Sequence, residues 1–157
     1  MSEAMEVVVR AATEADTEAL AQLITEFTGT AITPAQIGAR LTLSAGVEYP
    51  VVAQMGEDIV GFASLRIVWH YLGEDAPYAE LSELYVRSGY RRQGVGRALI
   101  EDLEAQARKA GASSWSVLTA SDNTAALALY QASGFHPFSI ALQKWFVDER
   151  PYREAKE

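Results

Sequence analysis

The feature that most constrains the fold of this chain is a glycine turn, Arg91-Arg92-Gln93-Gly94-Val95-Gly96, between two regular patterns. The residues before it, Tyr78–Val86, are rich in types that favour a β-strand. After it, apolar residues recur at the three- to four-residue spacing of a helix. The sequence therefore predicts a strand, a tight turn and a helix N-terminus in direct succession.

A helix N-terminus that follows a glycine turn is suited to bind an anion. Its first backbone N–H groups have no partner inside the helix, and the helix dipole places partial positive charge there. Gly94 and Gly96 lack a Cβ, so a phosphate oxygen can approach the backbone closely. Arg91, Arg92 and Arg97 add positive charge beside this turn. The segment is therefore a candidate phosphate site.

Three other interpretations of the turn compete with this one. A dinucleotide-binding loop needs a third glycine where this chain has Leu99. A nucleoside-triphosphate loop needs lysine and then serine or threonine where this chain has Arg97 and Ala98. The third alternative is an ordinary strand-to-helix turn with solvated arginines, which a bare pair of glycines does not exclude.

The pattern Arg-x-x-Gly-x-Gly at a strand-to-helix junction resembles the pyrophosphate loop of the GNAT superfamily of acetyl-coenzyme A-dependent N-acetyltransferases. A second segment, Asp122 to Tyr130 followed by Gly134-Phe135, is similar to the family's Asn-x-x-Ala-x-x-x-Tyr segment. The resemblance implies that Asn123 and Ala126 contact coenzyme A and that the Tyr130 hydroxyl lies near the thioester sulfur. Taken from the residues alone, Asn123 is a helix cap and Tyr130 a core aromatic.

The resemblance also assigns roles to the strand before the glycine turn. Its C-terminal backbone pairs with the pantetheine arm as an extra strand would, and an N–H there holds the acetyl carbonyl. A bulge often makes the splay between strands that this requires. Besides Asn123, Ala126 and Tyr130, the expected cofactor-binding residues are Leu84, Tyr85, Val86, Arg91, Arg92, Gln93, Gly94, Val95, Gly96 and Arg97.

Two carboxylates on the same strand are the candidate catalytic groups, together with Tyr130. Glu80 matches the general base of histone-acetyltransferase-like members, and Glu83 matches an acidic position of polyamine and aminoglycoside acetyltransferases. They are three residues apart, so a regular strand sends them to opposite faces. We therefore expect only one of them to face the acetyl group. A solvated strand residue is the alternative for each.

Charge is distributed unevenly along the chain, whose net charge is −8. This total argues against sequence-independent nucleic-acid binding. Between residues 41 and 86, seven acids accompany one base, Arg66, and a run of arginines then follows. The distribution favours a site with a cation on one side and an anionic cofactor on the other. The acids are Glu48, Glu57, Asp58, Glu74, Asp75, Glu80 and Glu83.

The order of predicted elements is strand, two helices, three strands, helix, strand, helix and strand. This order indicates an α/β fold with a mixed sheet. The GNAT resemblance implies six to seven strands flanked by four helices, in a single domain over residues 1–157. The last strand is expected at Ile140–Phe146, before a polar tail from Asp148.

The expected activity is transfer of acetyl from acetyl-coenzyme A to a primary amine of a small cationic acceptor, an aminoglycoside or a polyamine, by direct attack. The chain is similar in style to small aminoglycoside 3-N-acetyltransferases. A peptide or protein amine is the alternative acceptor, and a non-catalytic coenzyme A-binding module is the alternative class. A homodimer is compatible with the sequence. Nucleic-acid and membrane partners are not expected.

Thiol and metal chemistry are not expected. The chain has no cysteine, which excludes a thiol nucleophile and disulfides. The two histidines, His70 and His136, stand alone, so no triad and no metal site is predicted from them. No apolar run reaches the ~18 residues of a membrane span, and the expected location is the cytoplasm.

Overall fold

The computed structural model describes residues 5–70 and 75–147. It divides into two compact units, Met1–Val117 and Leu118–Glu157. Within the described ranges, no helix is long and apolar enough to cross a membrane. Residues 71–74 of the predicted loop before β4, and the tail from Asp148, lie outside the described residues.

The first unit holds a sheet, three helices and two short 3₁₀ turns. The second unit holds α4 (Thr124–Ala132). The strands are β1 (Val7–Ala11), β2 (Glu48–Met55), β3 (Asp58–Val68), β4 (Tyr78–Val86) and β5 (Trp115–Val117). The helices of the first unit are α1 (Thr17–Thr28), α2 (Pro34–Ser44) and α3 (Val95–Lys109), and the 3₁₀ turns are Glu14–Asp16 and Ser88–Tyr90.

The sheet has the order β1-β2-β3-β4-β5. The first three pairs are antiparallel, and β4 pairs with β5 in parallel. The parallel pair needs a crossover, which α3 provides. The expected α/β fold with a mixed sheet and four helices is confirmed, but the expected six to seven strands are wrong, because the described residues form five.

The missing strand is the one expected at Ile140–Phe146. The backbone there joins no ladder among the described residues. Apolar side chains of this segment face solvent, with Ile140 at 89% and Leu142 at 94% of their full exposure. A strand forms only where a neighbouring edge supplies hydrogen-bond partners, and no described strand does so here. The strand prediction for Ile140–Phe146 is therefore wrong.

Local signals define the start of α2. Thr33 caps the helix, since its hydroxyl oxygen accepts from the Gln36 amide at 3.2 Å, and the Gln36 side chain accepts from the Thr33 amide at 2.9 Å. Pro34 occupies the first helical position, where its missing N–H costs nothing. Gly29 ends α1 in the left-handed conformation that glycine adopts readily.

Helices cover both faces of the sheet, and adjacent residues of β3 show which face is which. Phe62 packs with residues of α1 and α2, including Leu23 and Ile37. Gly61 points the other way, where a Cβ would lie 3.3 Å from the Val95 side chain of α3. We call the two faces the α1–α2 face and the α3 face. The pairing with β2 is regular from Gly61 to Arg66, so strand alternation places Ser64 and Arg66 on the α1–α2 face with Phe62.

Candidate active site

One extra residue interrupts the pairing of β4 with β3. Ser64 lies opposite Glu83, but the next residue, Leu65, lies opposite Leu81, so Ser82 has no counterpart on β3. Two residues of one strand opposing one residue of its neighbour is a β-bulge. The bulge that the sequence could only suggest therefore lies at Ser82.

The bulge corrects the expected orientation of the two carboxylates. Glu80 lies opposite Arg66, and Glu83 lies opposite Ser64. Because Arg66 and Ser64 are two residues apart on β3, their side chains share a face, and residues directly opposite them share it too. The expectation that Glu80 and Glu83 point to opposite faces is wrong, since the inserted Ser82 shifts the alternation by one.

A polar cluster lies on this α1–α2 face, around Glu48 of β2. One Glu48 oxygen, Oε2, accepts hydrogen bonds from the Ser64 hydroxyl at 2.6 Å and the Ser82 hydroxyl at 2.7 Å. The other, Oε1, accepts from Arg66 Nε at 2.9 Å and forms an ion pair with the same guanidinium. Arg66 also reaches Glu80, at 3.3 Å. Both oxygens of Glu48 are therefore held within the chain.

The neighbouring carboxylates Glu48 and Glu83 have opposite pKa shifts. Desolvation opposes ionisation of Glu48, but hydrogen bonds from Ser64, Ser82 and Arg66 outweigh it and lower its pKa. Solvent reaches the Glu83 side chain, yet surrounding protein desolvates its carboxylate, and this is the largest cause of its raised pKa. The Glu48 charge raises it further, while the more weakly acting charges of Arg40 and Arg66 lower it. Glu83 therefore retains a proton at higher pH than a solvated glutamate.

Sequence reasoning missed Glu48, Ser64 and Ser82 as members of this cluster. Ser64 and Arg66 gave one usable signal, since they are polar residues two apart in an otherwise apolar strand. The seven acids counted between residues 41 and 86 are only partly brought together. Of these, Glu48, Glu80 and Glu83 share this face. Asp58 instead accepts a hydrogen bond from the Tyr90 hydroxyl, and Glu74 lies outside the described residues.

The glycine turn runs from the end of β4 into α3 as predicted. Gly94 is the N-cap, with φ +85°, and no described atom lies within 4 Å of a Cβ built there. The first helical amide bonded within the described chain is that of Ala98, to the Gly94 carbonyl at 2.9 Å. The amides of Val95, Gly96 and Arg97 have no partner among the described residues. The turn thus presents free amides and open space.

The arginines near the turn differ in how they are held. Arg91 donates from Nε to the Val86 carbonyl at 3.0 Å, and its guanidinium lies 5.6 Å from the Tyr85 ring centre. Arg97 pairs with Glu101 on the exposed surface of α3, where such a pair contributes little. Arg92 has a left-handed φ of 62°, which is uncommon for a residue with a side chain. Arg91 therefore ties the turn to β4.

The β5 side of β4 is open over its last residues. The parallel pairing with β5 ends at Leu81, opposite Val117. No strand of the described residues pairs with Leu84, Tyr85 or Val86 on that side. Unpaired strand edges bind extended chains through backbone hydrogen bonds. This open edge begins at the bulge and ends at the glycine turn.

The second unit contains the other family-like segment. The Asn123 side chain caps α4 by accepting from the Ala126 amide at 3.1 Å. Tyr130 is buried, stacks edge-on against Phe135, and has a pKa raised by desolvation. Its hydroxyl has no hydrogen-bond partner among the described residues. Every buried side-chain oxygen of the described chain has such a partner, so the Tyr130 hydroxyl oxygen must be accessible to solvent. The hydrogen bond from Ala126 shows that Asn123 is the helix cap expected from the residues alone.

One of the two histidines, His70, lies at the protein surface. His70 stacks on Tyr78 with ring centres 4.6 Å apart, and its side chain is exposed. Within the described ranges, no three His, Cys, Asp or Glu side chains are grouped as metal ligands would be.

Comparison with known sequences gives a family and several relatives. The profile of the acetyltransferase (GNAT) family matches residues 6–135. An aminoglycoside N(6′)-acetyltransferase of Stenotrophomonas maltophilia is 32% identical over 130 residues, which cover 81% of this chain and 84% of that protein. The same kind of enzyme from Acinetobacter genomosp. 13 is 35% identical over 74 residues, covering 47% of this chain and 51% of the relative.

A third relative acts on a protein. The ribosomal protein bS18-alanine N-acetyltransferase of Escherichia coli is 39% identical over 62 residues, covering 40% of this chain and 42% of that enzyme. The matches thus span about half the length of the Acinetobacter and Escherichia relatives. The names of both aminoglycoside relatives specify the 6′ amine, so the expected 3-N subtype is not confirmed.

Solved structures share the fold. An aminoglycoside N-acetyltransferase in complex with CoA superposes with a TM-score of 0.78 at 18% identity, covering 92% of this chain and 97% of the other. An aminoglycoside acetyltransferase from an uncultured soil sample, in complex with sisomicin, gives a TM-score of 0.75 at 20% identity, with coverages of 91% and 97%. Since the family profile spans most of the sequence and includes the glycine turn, the chain belongs to the GNAT family of acetyltransferases.

Proposed function

We propose that the protein is an N-acetyltransferase that moves acetyl from acetyl-coenzyme A to a primary amine of a small polycation of the aminoglycoside type. The observation that carries this proposal is the carboxylate pair Glu80 and Glu83 on one face of β4, a few residues before the open edge and the glycine turn. Membership of the GNAT family and the aminoglycoside relatives support it. The chain then works as one catalytic domain.

In this proposal the pyrophosphate of coenzyme A binds at the glycine turn. The free amides of Val95 and Gly96 donate to it, and Arg92 and Arg97 add positive charge. The pantetheine arm pairs with Leu84, Tyr85 and Val86 on the open edge, where one amide also holds the acetyl oxygen. The remaining proposed cofactor contacts are Arg91, Gln93, Gly94, Asn123, Ala126 and Tyr130.

The acceptor amine must lose a proton before it attacks. An alkylamine of pKa ~10.4 is neutral in only about one molecule in 2,500 at pH 7. Glu83 can first attract the ammonium and then take its proton, because its raised pKa makes the proton transfer less uphill. Tyr130 then donates a proton to the leaving thiolate. No covalent enzyme intermediate is needed.

The acceptor class follows from charge. Glu80 and Glu83 offer two carboxylates on one face, which suits an acceptor with several ammonium groups. A second candidate is the N-terminal amine of a peptide, favoured by the bS18-alanine relative. A cytoplasmic location and a homodimer stay predictions.

The test of the proposed function is thiol release with a panel of amines at matched concentration. We expect the highest kcat/KM with an aminoglycoside bearing a free 6′ amine, followed by polyamines. Its KM should rise with added salt, because attraction between exposed charges is screened beyond a Debye length of about 8 Å. A preference for an alanyl peptide would put the second candidate first, and coenzyme A binding without thiol release would indicate a non-catalytic module.

Gly94→Val tests the pyrophosphate site. A valine at this left-handed position strains the backbone and occupies the open space at the helix start. We expect coenzyme A affinity, measured by calorimetry, to fall about tenfold or more, equivalent to roughly 1.4 kcal/mol. Gly29→Val is the matched control, since Gly29 is also left-handed and open but ends α1. Equal affinities in the two variants would rule out phosphate binding at Gly94.

Glu83→Gln tests the base. Since the pKa of Glu83 is raised, its active ionised form accumulates at higher pH than for a solvated glutamate, and the acid limb of kcat/KM should lie correspondingly high. The variant should lose this limb and about 100-fold or more in kcat. Glu80→Gln should lower kcat less, because the Glu80 carboxylate is already paired with Arg66. If Glu80→Gln is the damaging change and Glu83→Gln is mild, the base is Glu80.

Tyr130→Phe tests the proton donor. A raised pKa keeps the Tyr130 hydroxyl protonated, as a donor to thiolate requires, and phenylalanine removes only that hydroxyl. We expect kcat to fall about tenfold or more with coenzyme A affinity nearly intact. The control is Tyr49→Phe, at an exposed tyrosine of β2. An unchanged kcat under conditions where chemistry limits turnover would reduce Tyr130 to a packing residue.

A further inference from the structure

Glu48 connects the two sides of the β4 bulge. Its Oε2 accepts from Ser82, the inserted residue, and from Ser64, the residue of β3 that faces the insertion. The Ser82 hydroxyl also lies 3.1 Å from the Ser64 carbonyl oxygen. One carboxylate oxygen on β2 therefore holds two neighbouring strands at the point where their register changes.

This contact is costly to arrange, which argues that it has a purpose beyond surface solubility. A half-buried carboxylate loses hydrogen bonds to water. For Glu48, hydrogen bonds from Ser64, Ser82 and Arg66 replace them. With both oxygens taken, Glu48 has little capacity left for a ligand. Its effect must therefore act through the residues that it holds.

We propose that Glu48 is a positioning residue, whose carboxylate clamps the β4 bulge through Ser64 and Ser82 and so keeps Glu83 on the α1–α2 face beside Glu80. The clamp acts first through geometry. Without the inserted residue, Glu83 would turn toward the α3 face, where α3 packs against Gly61. This inference deepens the proposed function and rests on the proposed role of Glu83.

The clamp acts second through charge. The charged or titratable groups on this face near Glu83 come from several elements. Charges of both signs act on the Glu83 carboxylate. Glu48 disfavours the ionised form of Glu83, whereas Arg40 and Arg66 favour it. Those groups are Glu48 of β2, Arg66 of β3, Tyr78, Glu80 and Tyr85 of β4, and Arg40 of α2.

Glu48→Gln tests the charge, and Ser82→Ala tests the clamp with the charge kept. In the full chain, the titration midpoint of the Glu83 carboxyl is followed by ¹³C NMR without substrate. We expect the midpoint to move to lower pH in Glu48→Gln, because a like charge is removed while Arg40 and Arg66 remain. We expect Ser82→Ala to move it less but to lower kcat several-fold, with the KM for acetyl-coenzyme A unchanged.

A double-mutant cycle with Glu83→Gln decides whether Glu48 acts through Glu83. If it does, the cost of Glu48→Gln in kcat should shrink to within a factor of about two in the Glu83→Gln background, since the group it positions is gone. Glu18→Gln, at an exposed site on α1, controls for the change in net charge. Thermal unfolding of each variant identifies any that fails to fold, and Ser64→Ala then replaces it in the cycle.

Two results would overturn the inference. One is a Glu83 midpoint that does not fall in Glu48→Gln. The other is an undiminished cost of Glu48→Gln in the Glu83→Gln background, which would place Glu48 in acceptor binding or in folding. The proposed function fails separately, because it requires thiol release with an amine acceptor, whereas the NMR midpoint reports on Glu48 with no turnover at all.

Discussion

The inserted residue Ser82 is the constraint on which the rest of the candidate site depends. A strand alternates its side chains between two faces, so one extra residue moves everything beyond it to the other face. That shift brings Glu83 beside Glu80 and also coincides with the end of the β5 pairing at Leu81. A single local irregularity thus places two carboxylates on one face and marks where the unpaired edge begins.

Direct contacts connect the open edge of β4 to the glycine turn. β4 ends at Val86, whose carbonyl accepts from Arg91, while the Arg91 guanidinium lies over Tyr85. The Arg87 amide bonds the Val60 carbonyl of β3, and its side chain pairs with Glu26 of α1. The turn is therefore held to the sheet and to α1 before any ligand arrives, so a bound anion meets amides that are already in place.

Local chemistry could be predicted from the sequence, and long-range pairing could not. The bounds of β4 and the turn that leads from it into α3 depend on a few neighbouring residues, and both were predicted. The bulge at Ser82 depends on register against β3, and no local pattern encodes it. The strand expected at Ile140–Phe146 failed for a similar reason, since a strand needs a partner edge from a distant part of the chain.

The cluster around Glu48 divides two nearby carboxylates into different chemical roles. Glu48 receives hydrogen bonds from two hydroxyls and a guanidinium, which stabilise its charge and lower its pKa. Glu83 is partly desolvated by nearby protein, and the fixed charge of Glu48 further disfavours its ionisation. Environments that separate the pKa values of neighbouring carboxyls typically assign one as a permanent charge and the other as the proton carrier. By that argument Glu48 stays ionised over the working pH range, and Glu83 is the group free to take a proton.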